Sequence, residues 1–240
     1  MCKKAIFMLL AFTFALAAPA HAATIMWVSD AYDDDTNTVT DDLGFVQLLR
    51  DQGYTVDYRG EGGAASAGYR YWRTLDAGKI AELNAADLII VSRNLNSGDY
   101  DDGTEPTQWN GVTAPLLLQP PFVYRNTHWK WLNTTSTANT TDNLLAVLPA
   151  HPIFNGVTLN ASNQVSIVNV NTSVGDGTVD PTNNYTLLAT RAGAGADGVW
   201  IATWEAGVEF YPGAAQYAGG PRMYFAAGAQ DVAGSVGRGL

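Results

Sequence analysis

Leu88-Ile89-Ile90-Val91-Ser92-Arg93 is a run of four apolar residues closed by a hydroxyl and a guanidinium. Side chains on a strand alternate between faces, and here neither face is polar, so the run suits a strand buried on both sides. Upstream, Thr24-Ile25-Met26-Trp27-Val28-Ser29 is a second such run, ending at Asp30. Between them, Tyr54, Val56 and Tyr58 alternate with polar residues as a further strand, which makes the runs at Thr24, Tyr54 and Leu88 the first, second and third strands along the chain. A helix carrying Leu43, Val46 and Leu49 on one face is expected ahead of that strand, with Thr38 and Asp41 as a capping box and Gly53 at its end. Thr74 is read as the cap of a second helix through Ile80 and Leu83. Downstream, Pro115-Leu116-Leu117-Leu118-Gln119 supplies a fourth strand.

Strands alternating with helices imply βαβ units, hence an α/β domain whose mostly parallel sheet lies between two helical layers. The segment 133–143 is rich in Thr, Asn and Ser and reads as a polar loop before the apolar Leu144 to Leu148. Helical patterns thin out after Pro152. Extra strands are expected at Val165 to Val170, Tyr185 to Thr190, Val199 to Trp204 and Met223 to Ala227.

Of the 240 residues, 47% are hydrophobic and 15% charged, a composition that suits one folded domain. Lys plus Arg number 13 against 23 Asp plus Glu, a formal charge of −10 that repels phosphate backbones and anionic membrane surfaces; nucleic acid is not an expected partner. Residues 1–22 read as a secretory signal: Lys3 and Lys4, an apolar run from Ala5 to Ala18, and Ala20-His21-Ala22 as a small-x-small cleavage site. Cleavage leaves 11 basic against 23 acidic residues, a net −12, and no later segment resembles a membrane anchor. A secreted or periplasmic location is therefore expected, with residues 23–240 as the domain. The sole cysteine, Cys2, leaves with the signal, which removes disulfides, zinc-thiolate sites and cysteine nucleophiles from the mature chain.

In an open parallel sheet, ligands bind beyond the carboxyl ends of the strands. The loops found there carry Asp30 after the first strand, Arg93, Asn94, Ser97, Asp99 and Tyr100 after the third, and Tyr124, Arg125, His128 and Trp129 after the fourth. Guanidinium groups and aromatic faces beside carboxylates can pair anions or stack sugar rings. Asp30, Arg93, Asn94, Ser97, Tyr100, Tyr124, Arg125 and Trp129 are the candidate ligand-binding set. The competing reading is of solvated loops held by an Arg-Asp pair.

Two acidic clusters, Asp33-Asp35-Asn37 and Asp99-Asp101-Glu105, offer oxygen ligands, but Thr38 or Thr104 stands where a calcium loop needs glycine, and no metal site is assigned. Gly60-Glu61-Gly62-Gly63 lacks the glycine spacing of a dinucleotide loop, and no serine sits in a Gly-x-Ser-x-Gly elbow. No cofactor is expected. His128 beside Trp129 and Trp131 reads as packing rather than a proton shuttle, and His151 ahead of Pro152 as the side chain that fixes a turn. Asp30, Asp99 and Glu205 would serve as a glycosidase pair only if two of them approached closely.

The order of the motifs Trp27-Val28-Ser29-Asp30, Leu88 to Arg93 followed by Asn96-Ser97-Gly98-Asp99-Tyr100, Pro115 to Leu118, His151-Pro152-Ile153-Phe154-Asn155-Gly156-Val157, Trp204-Glu205-Ala206-Gly207 and Arg222-Met223-Tyr224-Phe225 resembles the class I glutamine amidotransferase-like superfamily, in its secreted, ThuA-like branch. The resemblance implies a flavodoxin-like three-layer α/β/α sandwich with the family's site at the turn after the fourth strand. That turn reads Pro120-Pro121-Phe122-Val123-Tyr124-Arg125, where the family pattern has a cysteine, so glutamine hydrolysis by that mechanism is excluded. Such relatives close with a helix beyond the strand near Met223, and the expectation is of a domain truncated at its C-terminus.

The functional expectation is a domain without amidotransferase activity that binds a small polar ligand such as a glycan at the C-terminal edge of its sheet. The alternatives are a carboxylate- or metal-dependent extracellular carbohydrate hydrolase and a structural module of a longer surface protein.

Overall fold

The computed structural model describes residues 22–30, 42–62, 67–93, 95–167, 172–176, 183–194, 197–226 and 228–229. Residues 1–21 of the expected signal, the Asp33-Asp35-Asn37 cluster, the Thr38 and Asp41 capping pair and Asn94 lie outside the described residues.

The first half follows the βαβ pattern. β1 (Thr24–Val28), α1 (Leu43–Asp51), β2 (Thr55–Asp57), α2 (Ala77–Asn84), β3 (Leu88–Val91), α3 (Glu105–Gly111) and β4 (Leu116–Leu118) follow in order. Gly53, at φ +91°, ends the first helix in a conformation that glycine enters at little cost. The second helix is capped by Asp76, whose carboxylate accepts from the Lys79 N–H at 2.8 Å, and not by Thr74. The Thr74 carbonyl instead accepts from Lys79 Nζ. The helix α3 was absent from the sequence reading because it spans only seven residues, with Pro106 in its first turn and Gly111 at its end.

The second half is mainly strand: β5 (Ser136–Thr140), β6 (Leu144–Ala146), β7 (Gln164–Val165), β8 (Thr172–Asp176), β9 (Thr186–Arg191), β10 (Gly198–Trp204), β11 (Arg222–Phe225) and β12 (Gly228–Ala229). The expected polar loop at 133–143 thus contains a strand, whose threonines suit a pleated edge. All twelve strands join one sheet, with the path β2-β1-β3-β4-β11-β10-β9-β6-β7 and with β8 linking β10 to β5 and β12.

Pairing is parallel from β2 through β11 and antiparallel beyond it. Among the described residues four strand pairings are parallel and seven antiparallel. The protein is therefore an α/β protein with a large mixed sheet and few helices, and the parallel order expected of most of the sheet is confined to its first five strands. Connection length accounts for one of these pairs: a parallel neighbour needs a crossover of a dozen or more residues, whereas the short turn between β9 and β10 can serve only an antiparallel pair.

The parallel strands are buried on both faces. Ile25, Trp27 and Ile90 pack with Val46 of α1, Val56 and Tyr58 on one side. Met26, Val28, Ile89 and Val91 join Leu83 of α2 and Trp109 of α3 in a much larger core on the other. That core extends under the antiparallel half through a series of aromatic contacts. Trp109 stacks on Trp129 at 5.1 Å, Trp131 on Phe210 at 5.2 Å, and Trp204 meets Trp131 edge-on at 5.5 Å. Arg222 is 2% exposed, yet its guanidinium donates to the carbonyls of Asn110, Val112 and Ala114 and so closes the C-terminal end of α3. Burial lowers its pKa to about 10, which still leaves it charged at neutral pH.

Candidate functional site

Strands β1 and β3 are hydrogen-bonded neighbours, with Val28 opposite Val91, so the residues that follow them emerge side by side at the C-terminal edge of the sheet. Ser92 donates through its hydroxyl to the Asp42 carboxylate at the N-terminal end of α1, and Trp27 Nε1–H donates to the same carboxylate at 3.0 Å. A buried acid thus ties both strands to the first helix beneath the edge.

Above it, Asp30 is 6% exposed and fully engaged. It takes a forked pair of hydrogen bonds from Arg73, at 3.2 and 2.8 Å, and a third at 2.7 Å from the Tyr100 hydroxyl. Arg73 Nη2 also lies 2.8 Å from Asp99, which accepts from the Asn96 side-chain amide at 2.9 Å. Burial, and then the charge of Asp30, push the Tyr100 phenol far above its ordinary range. Tyr100 therefore remains a hydrogen-bond donor to Asp30 at any working pH.

An open crevice of about 360 Å³ lies over this network, lined by Asp30, Tyr69, Arg70, Arg73, Arg93, Leu95, Asn96 and Asp99. Its outer wall is the segment from Ala67 to Thr74. Gly68 permits that wall to sit where it does, because a Cβ there would fall 1.8 Å from the Arg59 carbonyl oxygen. Trp72, 1% exposed, plugs into the large core, and Lys79 Nζ holds the wall from behind through the carbonyls of Tyr71 and Thr74. Arg70 then projects outward over the Tyr69 ring, 4.7 Å from its centroid, from a backbone at φ +57°.

Of the ligand-binding candidates, Asp30 and Arg93 line this crevice and Tyr100 supports it from below. Ser97 opens the short 3-10 turn Ser97–Asp99 and is buried beside it. Tyr124, Arg125 and Trp129 are elsewhere. Tyr124 is fully buried, with its hydroxyl donating to the Ser136 carbonyl. Trp129 is fully buried as well, donating through Nε1 to the Tyr100 carbonyl, so neither ring offers a face to a ligand. Arg125 is turned back on its own loop, donating to the Phe122 carbonyl and to His128 Nε2 and lying over the Phe122 ring.

Because a guanidinium can only donate, His128 Nε2 is the acceptor there, and Nδ1 carries the proton that it shares with Asp101. That arrangement occupies both ring nitrogens structurally. His151, expected to fix a turn, accepts from the Ile153 N–H at 3.3 Å.

The sequence reading missed Tyr69, Arg70 and Arg73, which come from a connection between β2 and α2 that carries no motif. The one available signal was the density of aromatic and arginine residues in Tyr69-Arg70-Tyr71-Trp72-Arg73. Among the described residues, no group of three or more His, Asp or Glu is placed to hold a metal ion, and no helix is long and apolar enough to cross a membrane. Glu205 is exposed at the turn after β10 and does not line the crevice.

No protein-family model matches the chain, and no curated protein matches it. Among solved structures, a cytoplasmic protein of Salmonella typhimurium is similar at 13% identity and a TM-score of 0.49, covering 84% of this chain and 86% of its own.

Proposed function

We propose that the protein binds a small polar ligand such as a glycan in the crevice over Asp30, without amidotransferase activity and outside the cytoplasm. The observation that carries this reading is the crevice itself. It lies at the C-terminal ends of adjacent parallel strands, where open α/β sheets bind ligands, and its volume is that of a small-molecule site. Among the described residues its lining combines guanidinium, carboxylate, amide and phenol groups with a single aliphatic side chain, Leu95, which suits a hydroxyl-rich molecule.

The amidotransferase resemblance draws support from the parallel run, β2-β1-β3-β4-β11, which follows the order 2-1-3-4-5 when only these five strands are counted along the chain. The turn after β4 supports the absence of the family's chemistry, since it presents no thiol and buries Val123 and Tyr124. The leader-like residues 1–22 support an extracytoplasmic role.

Hydrolysis is the weaker reading. Asp30 and Asp99 are close enough to share Arg73, but the guanidinium stands between them and pairs with both. A glycosidase needs that space for a glycosidic oxygen and one of the two carboxyls as a proton donor.

An oligosaccharide array followed by calorimetry tests the proposal. Binding that is lost when Asn96→Trp fills the crevice and kept in Arg125→Ala supports it. Binding indifferent to Asn96→Trp, or the release of reducing sugar from the bound oligosaccharides, overturns it.

A further inference from the structure

We infer that His128 is a proton-operated latch on Arg125. In its neutral form the imidazole holds the guanidinium, and on taking up a proton at Nε2 it releases Arg125 and keeps Asp101. The inference does not depend on what the crevice binds.

The first observation is position. His128 lies in the loop after β4 and Asp101 in the stretch that leads from the β3 loop into α3, and their contact through Nδ1 ties the two loops together. The side chains are 14% and 20% exposed, so the pair is largely shielded and a proton can still reach the ring.

The second observation is the inventory of donors. A guanidinium has no lone pair to offer, so Arg125 Nη2 donates across 2.8 Å and His128 Nε2 accepts. The one ring proton is then on Nδ1, facing Asp101. That description holds for a single charge state. A proton added at Nε2 sets N–H against N–H and one positive charge against another. The same proton turns the Nδ1 contact into an ion pair and strengthens it. One partner of the imidazole gains from the proton and the other loses.

The surrounding charges decide which partner leaves. Beside Asp101 stand Asp99, Asp102 and, at the start of α3, Glu105, whose carboxyl feels the charge of all three aspartates. On the other side, Arg125 and Lys130 are the only lysine or arginine residues between β4 and β5. The acidic side is the more crowded, and it keeps the imidazolium. Arg125 gives way at little cost, because it is half-buried and can return to water while its Nε still donates to the Phe122 carbonyl at 2.9 Å. The loop backbone has no need to move, since the N–H groups of His128 and Lys130 both bond to the Arg125 carbonyl and Trp129 is fully buried. The moving part is one side chain, and what it frees is a guanidinium beside the exposed Phe122 ring.

The test is NMR of the whole protein, following the imidazole nitrogens and the Arg125 guanidinium from about pH 8 to about pH 5, the span in which an imidazole changes charge. At the upper end His128 is expected as the Nδ1–H tautomer, with Arg125 Nη2 rotating slowly because it is bonded. As His128 titrates, the Arg125 signals should change with the same midpoint to those of a freely rotating group.

Arg125→Gln removes the charge that opposes the proton and should move the His128 titration to higher pH by about half a unit or more. Asp101→Asn removes the charge that favours it and should move the titration to lower pH by about as much. His151, which accepts from the Ile153 N–H in another part of the chain, is the internal control and should titrate alike in all three proteins. A histidine that only packs would leave the Arg125 signals indifferent to pH.

An Nε2–H tautomer at the upper pH, Arg125 signals that ignore the His128 titration, or variants that move it in the same direction would each overturn the inference. So would a His128 that stays neutral down to the lower pH, because the latch would then never open.

Discussion

The loops that leave β3 and β4 start from adjacent parallel strands and carry the same kinds of residue, yet one opens into a crevice and the other closes into the core. After β3, Asp99 pairs with Arg73 of the wall before α2, the Asn96 N–H donates to Asp30 beyond β1, and Arg93 lines the same crevice near the Phe45 ring of α1. After β4, the tips of Arg125, Trp129 and Trp131 each find a partner within the protein. Arg125 returns to Phe122 and His128, Trp131 donates to Asn110, and Trp129 donates to Tyr100. The difference lies in what each loop can bury. Two indoles and a phenol carry enough apolar surface to pull the second loop inward, provided that each N–H and O–H finds an acceptor, and each does. The first loop has only Leu95 and Tyr100 to bury, and its charges must remain near water.

Truncating the closing loop should therefore be costly in stability and the opening loop less so. Trp129→Ala empties a fully buried, stacked site and strips the Tyr100 carbonyl of its donor. A loss of about 3–5 kcal/mol is expected in denaturant unfolding. A loss below about 1 kcal/mol would mean that the aromatic series is not the core of that region.

Asp30→Asn comes next. It leaves Arg73 with Asp99 alone and weakens the acceptor of the Tyr100 hydroxyl, at an expected cost of about 2–3 kcal/mol. Arg125→Gln should cost less than about 1 kcal/mol, because a half-exposed guanidinium that bonds within its own loop gains little over water. Equal costs for Asp30→Asn and Arg125→Gln would erase the distinction between the two loops.

The sequence announced the opening loop but not the wall that faces it. Asp30 and Arg93 were legible because apolar runs of strand length end at them, and the place where a parallel strand ends is where a ligand can be met. Arg70 and Arg73 were not, since their position depends on Gly68 passing against the Arg59 backbone, a contact between residues that no periodicity links. Tyr124 and Trp129 were misjudged for a related reason. Composition shows that a loop holds aromatic and polar groups, whereas burial depends on acceptors supplied by distant segments, the Tyr100 and Ser136 carbonyls among them.

The parallel half of the fold was legible from buried strands separated by helical faces. The antiparallel half was visible as strands but not as a topology, because alternation reveals a strand and says nothing of its direction. The Ser136 to Thr140 strand was hidden because polar threonines and asparagines pair through backbone groups as well as apolar residues do.

The smallest expected effect concerns Glu105, the first residue of α3 just beyond the β3 loop, which is 8% exposed. Burial, followed by the nearby charges of Asp102, Asp101 and Asp99, raises its carboxyl above the ordinary glutamate range, against the lowering effect of the Asp102 N–H that it accepts at 3.1 Å. With the folded value above the unfolded one, the native state binds the proton more tightly. The contribution of Glu105 to stability is then fully present below the ordinary glutamate value and is lost as pH rises through the raised one.

Glu105→Gln keeps an acceptor for the Asp102 N–H and removes the charge. The variant should be more stable than the parent at neutral pH, by less than about 1 kcal/mol, and the two should converge below about pH 4. Melting curves at both pH values check it. A variant that is less stable at neutral pH would show that the carboxylate is wanted in its charged form, placing Glu105 with the crevice network rather than beside it.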